Sequence, residues 1–182
     1  MKQQRTAANV LNREVAVTVR EHSAAPAHTV FDVLADLAGH PGWGGAEAST
    51  LLSMDAPPGQ ATAGTEFTST AEDSICRMLD SSVVTEAVRP STFERVTESA
   101  LKTKKNGTPA DWLLVHRYEI RPDGNQSDVT YTCRLVRATA LPGMLALFGT
   151  PVLRSLAARE WARASRAGLR RLIAAAETTA RA

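Results

Sequence analysis

Four side chains in the second half of the chain have the types and spacing of a working site: Arg95, His116, Tyr118 and Tyr131. Successive side chains of a β-strand point to opposite faces, so residues two apart share a side. Over 112–121 this places Trp112, Leu114, His116, Tyr118 and Ile120 inward, with Arg117 and Glu119 outward. Over 128–138, Val129, Tyr131, Cys133 and Leu135 face in, and Phe93, Arg95 and Thr97 share one face of an earlier strand. Imidazole is the side chain that titrates near neutrality, so His116 is the candidate base for drawing a proton from carbon beside a carbonyl. Tyr118, Tyr131 or Arg95 would then hold the developing enolate oxygen. The plainer role for the same residues is a hydrogen-bonded sheet histidine and two core rings with their hydroxyls at the rim.

The elements that must position these groups follow from periodicity. Val15, Val17 and Val19 alternate with polar residues in a first strand over 12–22. Ser23 reads as an N-cap with Pro26 in the first turn, and Val30, Phe31, Val33, Leu34 and Leu37 recur at helical spacing, with Asp36 placed to cap a second short helix. Strands are expected at 48–54, 65–72 (Phe67 on the apolar side), 82–88, 92–99, 112–121 and 128–138. Residues 74–81 fit no single pattern. Glu86 shares a face with Val84 and Val88 and is a candidate pocket acid; the alternative inner set is Ser81, Val83, Thr85 and Ala87. The last third opens with LPGMLALFG, bearing Leu145 and Phe148. After Thr150 as cap and Pro151 in the first turn, Leu153, Leu156, Ala157, Trp161, Ala164, Gly168 and Leu172 form one helical face. Ala164 and Gly168 are small, as either a cavity or close backbone packing requires. Glu160, at the edge of that face, either reaches a pocket or pairs with Arg163. Arg159, Arg163, Arg166 and Arg170 form the wet face.

The 182 residues suit a single domain over 12–178 behind a flexible tail at 1–11, and 43% hydrophobic with 22% charged is ordinary for a globular chain. The net charge of +2, with signs interspersed, argues against a nucleic-acid surface. The first residues lack the apolar core of a signal peptide and no apolar run reaches membrane-spanning length, so a cytoplasmic protein without integral membrane association is expected. Cys76 and Cys133 read as free thiols, Cys133 packing rather than acting as a nucleophile. Asp32, Asp36 and His40 share a helix face but lack a fourth partner, so no metal is expected, and no motif implies a cofactor.

The stretch APAHTVFDVLADLAGHPGW resembles the opening of the START-like helix-grip superfamily (SRPBCC) at Ala25, Pro26, Val30, Phe31, Leu34, Asp36 and Trp43. The resemblance covers roughly residues 12–178, nearest the polyketide cyclase/dehydratase branch. It implies an α+β fold: a curved antiparallel sheet of about seven strands round a long C-terminal helix, with two short helices after the first strand. It also implies an apolar cavity between sheet and helix that binds a hydrophobic or aromatic small molecule. The cavity is then expected to be lined by Trp43, Phe67, Glu86, Phe93, Trp112, Leu114, Cys133, Leu145, Phe148, Leu156, Glu160, Trp161 and Ala164. The superfamily includes cyclases, lipid carriers and chaperone activators. A cyclase or aromatase needs polar groups converging at one depth of the cavity; a carrier needs an apolar cavity gated by LPGMLALFG; an interaction module needs an exposed apolar patch. A monomer or homodimer fits each of them.

Overall fold

The computed structural model describes residues 9–11, 13–44, 49–142, 146 and 154–182. Strand β1 (Val15–Ser23) is followed by helix α1 (Ala27–Ala35) and a 3₁₀ turn (Leu37–Gly42). Strands β2 (Ser49–Asp55), β3 (Glu66–Asp73), β4 (Cys76–Val88), β5 (Thr92–Thr103), β6 (Pro109–Asp123) and β7 (Gln126–Ala138) come next, and helix α2 (Arg154–Arg181) closes the chain. The strands form one antiparallel sheet in the order β1-β7-β6-β5-β4-β3-β2. Each strand from β3 onward pairs with its predecessor, which leaves β2 at one edge, and β1 pairs with β7 at the other.

Three local expectations are corrected. Ser23 does not cap α1. The cap position is Pro26, extended at φ −61° and ψ 150° with no side-chain cap bond, while Ser23 Oγ accepts from the Ala25 N–H at 3.1 Å. Residues 74–81 mostly belong to β4, whose polarity is inverted: Cys76, Met78, Asp80 and Ser82 take the inner positions, while Leu79 stands 60% exposed on the outside. Finally, β4 carries a bulge between Val84 and Glu86, which puts Glu86 opposite Glu94 and Ala87 opposite Phe93. The inward set is therefore neither of the two parities the sequence offered. Val84 and Ala87 both pack on the core, and Val88 is exposed.

The main core lies where α2 crosses α1 and β1. Leu169, Leu172, Ile173 and Ala176 bury against Val30, Phe31 and Leu34. Polar ties fix the end of α2, where the Ala24 N–H donates to Glu177 Oε1 at 2.9 Å. Glu21 accepts from Arg166 at 3.2 Å and Arg170 at 3.1 Å, so two of the basic residues on the wet face clamp the helix to β1. Removing one partially screened carboxylate with two guanidinium partners, in Glu21→Gln, is expected to lower stability by about 1 kcal/mol. The effect should shrink in high salt, as a shift in the urea midpoint will show. The residues expected to cap and begin this helix, Thr150, Pro151 and Leu153, lie outside the described residues. Among those described, no helix is long and apolar enough to cross a membrane.

Candidate functional site

Opposed residues of neighbouring strands line up in rows across the inner face of the sheet, and four such rows make a floor. The first holds Ser69, Asp80, Ser99 and Trp112; the second Phe67, Ser82, Thr97, Leu114 and Leu135; the third Val84, Arg95, His116 and Cys133; the fourth Phe93, Tyr118 and Tyr131. Above them the first half of α2 presents Ala157, Glu160, Trp161, Ala164 and Gly168, and His40, Trp43 and Leu51 close one side. Between sheet and helix lies a cavity of about 430 Å³, the size of a small-molecule site.

Arg95, His116, Tyr118 and Tyr131 all line this cavity, as do Trp43, Trp112, Leu114, Cys133, Glu160, Trp161 and Ala164. Glu160 also accepts from Arg163 Nε at 3.1 Å, so it stands at the mouth with a surface partner. Four expected lining residues lie elsewhere. Phe93 is fully buried in the core, edge-on to Phe31 at 6.1 Å. Phe67 sits beneath the site, its ring 5.5 Å from the Arg95 guanidinium carbon. Glu86 is turned outward by the bulge, where Arg117 Nη1 donates to it at 2.6 Å. Leu156 is 47% exposed because the buried face of α2 passes through its neighbour Ala157. Leu145 and Phe148 lie outside the described residues.

The polar groups form a connected set. His116 Nδ1 is 2.7 Å from the Tyr131 hydroxyl, which stacks on Tyr118 at 4.6 Å between ring centres. Burial, helped by the neighbouring Arg95 charge, drives the His116 pKa well below its ordinary value, so the imidazole is neutral at pH 7. Burial pushes the Tyr131 hydroxyl well above the usual phenol range and the Cys133 thiol up to about 12. All three groups are therefore uncharged. When the Tyr131 hydroxyl accepts from His116 Nδ1–H, Nε2 keeps its lone pair and can act as a base. When the hydroxyl instead donates to Nδ1, Nε2 carries the proton and can give it up.

Several lining residues are absent from the sequence-based set: His40, Ser69, Asp80, Ser82, Thr97 and Ser99. Ser69 and Ser99 were accessible by counting in twos from Phe67 and from Arg95; the inverted polarity of β4 hid Asp80. Ser82 and Thr97 satisfy each other at 2.9 Å. His40 Nε2 is 2.8 Å from the Leu34 carbonyl oxygen, and burial followed by the Arg95 charge lowers its pKa to about 3. Asp32 accepts two bonds from Arg89 at 2.7 and 2.9 Å. Of the helix-face trio, Asp32 and His40 are thus committed to other partners and Asp36 takes the cap position of the 3₁₀ turn without a side-chain cap bond; the described residues hold no group of three or more side chains placed for a metal ion.

Residues 14–177 match the family model described as polyketide cyclase / dehydrase and lipid transport. No curated protein matches the chain. Among solved structures, protein CV1439 from Chromobacterium violaceum superposes with a TM-score of 0.58 at 13% identity, over 89% of this chain and 96% of that one. An uncharacterised protein from Rhizobium leguminosarum gives 0.61 at 12% identity, over 91% and 95%. Ara h 8.0201 gives 0.57 at 10%, over 91% and 99%. At such identities the likeness establishes the fold, a helix-grip sheet around a closing helix.

Proposed function

This chain belongs to the polyketide cyclase / dehydrase and lipid transport family, and from that membership and its cavity we propose that it binds an oxygenated, flat aromatic or polyketide-like molecule and promotes its enolisation, leading to cyclisation or loss of water. One observation carries the reading: Arg95, His116, Tyr131 and Tyr118 occupy adjacent positions on three neighbouring strands and reach one cavity at one depth. A carrier has no need of that convergence. Of the exposed large apolar side chains, Leu52 stands on β2, Ile75 in the β3–β4 turn, and Leu79 and Val88 nine residues apart on β4, so an interaction module has less support.

Tyr131 occupies Nδ1 of His116, which leaves Nε2 for the substrate. Nε2 takes a proton from the carbon beside a carbonyl, and the electron pair moves onto the carbonyl oxygen, where the Arg95 guanidinium meets it. The free imidazole resists protonation because it is buried beside a cation. Proton transfer becomes feasible only because enolate charge appears between imidazolium and guanidinium in the same step. For dehydration, the enolate expels a β-hydroxyl and the imidazolium returns the proton to it, releasing water and restoring neutral His116.

The test uses 2-tetralone, a flat aromatic ketone with acidic α-hydrogens. Wild-type protein is expected to accelerate exchange of those hydrogens with deuterium in D₂O, and His116→Ala to lower that rate by about 100-fold while still binding the ketone. Full exchange activity in His116→Ala would remove the base assignment. Binding without any acceleration by the wild type would favour the carrier.

A further inference from the structure

Asp80 plays no part in the enolisation step, yet it is the one carboxylate on the cavity floor with a buried oxygen left without a hydrogen-bond partner among the described residues. Its Oδ2 accepts from Ser69 Oγ at 3.4 Å, whereas Oδ1 is buried without a hydrogen-bond partner among the described residues. Arg95 Nε is buried and unpartnered in the same sense. These two orphans, an acceptor and a donor, line the same cavity. Asp80 lies on β4 opposite Ser99 and Ser69, and Arg95 is on β5, four positions from Ser99. Strand spacing puts their Cα atoms roughly 14 Å apart on a diagonal, two rows of the floor from each other. The Arg95 side chain leans back across β4 to place its guanidinium over Phe67 of β3, toward Asp80. Ser82 and Thr97, which lie between the two, are committed to each other. A buried polar atom left unmatched is costly, so an acceptor and a donor facing one cavity define the complementary group.

Resting on the reading that the cavity binds an oxygenated aromatic molecule, we propose that Asp80 and Arg95 form the two poles of a clamp, in which a phenolic or enolic O–H of the ligand donates to Asp80 Oδ1 while a second oxygen of the same ligand accepts from Arg95 Nε–H. The terminal nitrogens of Arg95 are left for the carbonyl oxygen. The cavity thereby selects hydroxylated ring systems over their ethers, because an ether leaves the Asp80 carboxylate facing a methyl group.

All three tryptophans of the chain, Trp43, Trp112 and Trp161, line the cavity, so quenching of intrinsic fluorescence reports occupancy directly. Two probes decide the matter: 2-hydroxyanthraquinone and 2-methoxyanthraquinone, titrated into wild type, Asp80→Ala and Asp80→Asn. Wild type is expected to bind the hydroxy compound about 10-fold tighter, the discrimination of one charge-assisted hydrogen bond. In Asp80→Ala the preference should fall to within about 2-fold, with the methoxy affinity unchanged. Asp80→Asn, whose amide oxygen still accepts, should keep an intermediate preference and serves as the variant test should the alanine protein fail to fold. Equal affinities in wild type, as a trapped water bridging the two poles would give, overturn the clamp and leave the cavity reading standing. A preference that survives in Asp80→Ala does the same. Failure of both probes to bind wild type overturns the clamp and the cavity reading together.

Discussion

Acidification from pH 7.5 to pH 5 is expected to lower the folding stability by ~4 kcal/mol, through two buried histidines. His40 has its pKa lowered to about 3 and His116 is lowered well below 6.5, in both cases chiefly by burial. Unfolded, each titrates at its ordinary value. Between the folded and unfolded values the unfolded chain binds protons that the fold refuses, so stability rises with pH and is lost as pH falls. Each residue contributes up to about 1.4 kcal/mol per pH unit in that window. Two groups act in the opposite sense. Asp80, raised by burial, takes up its proton more readily in the fold and recovers some stability at lower pH. His22, raised by Asp128, is fully exposed and its contribution is minor. Urea midpoints at the two pH values measure the loss, and His40→Gln should remove about half of it. Coincident curves at pH 7.5 and pH 5 would refute the neutral-histidine description of the site.

Arg95→Met should separate the two roles of Arg95. Affinity for 2-hydroxyanthraquinone is expected to fall about 50-fold, since a charged donor to the ligand oxygen is lost from a desolvated site. The fold should not weaken in step. A methionine of similar length fills the space without a buried charge, and such replacements are often neutral or stabilising. His116 and His40, both held down partly by the Arg95 charge, should titrate closer to their ordinary value in the variant, which histidine NMR signals will show. Affinity within about 3-fold of wild type, or histidine titrations that do not move, would detach Arg95 from the site.

Where polarity and facing agree, the sequence was legible. β6 over 112–120 and β7 over 129–135 keep one facing per step, the irregularity between them falling just past Leu135, so the inward positions of Trp112, Leu114, His116, Tyr118, Tyr131 and Cys133 followed from counting in twos. The opening motif and the long amphipathic helix were equally readable, because a helix face and a Pro-led first turn are local properties. On β4 two features hid the inward set. A polar cavity reverses the rule that inward means apolar, so Asp80 inside and Leu79 outside made β4 look patternless. The bulge at Val84/Glu86 then broke the count, and no local signal marks which residue is skipped. Leu156 was misplaced by one position round the helix, since the buried face runs through Ala157, and Phe93 for a different reason. Periodicity assigns a face but not a depth along it, and the floor of a cavity merges into ordinary core within one row.

The closure of the sheet by β1 and β7 bears on how the protein is made. Thr18 and Thr132, whose hydroxyls meet at 3.0 Å, are 114 residues apart. Strand β1 therefore leaves the ribosome well before β7, its sheet partner, and at roughly 5–20 residues per second it waits on the order of 6–23 seconds for that partner. Meanwhile Val15, Val17 and Val19 have neither ladder nor helix to cover them, since α2, which packs on β1, is later still. The β2–β7 meander can zip up hairpin by hairpin through near-neighbour contacts, whereas the β1 seam must close a loop of more than a hundred residues. High contact order is concentrated in that single seam, which makes it the slow step of folding.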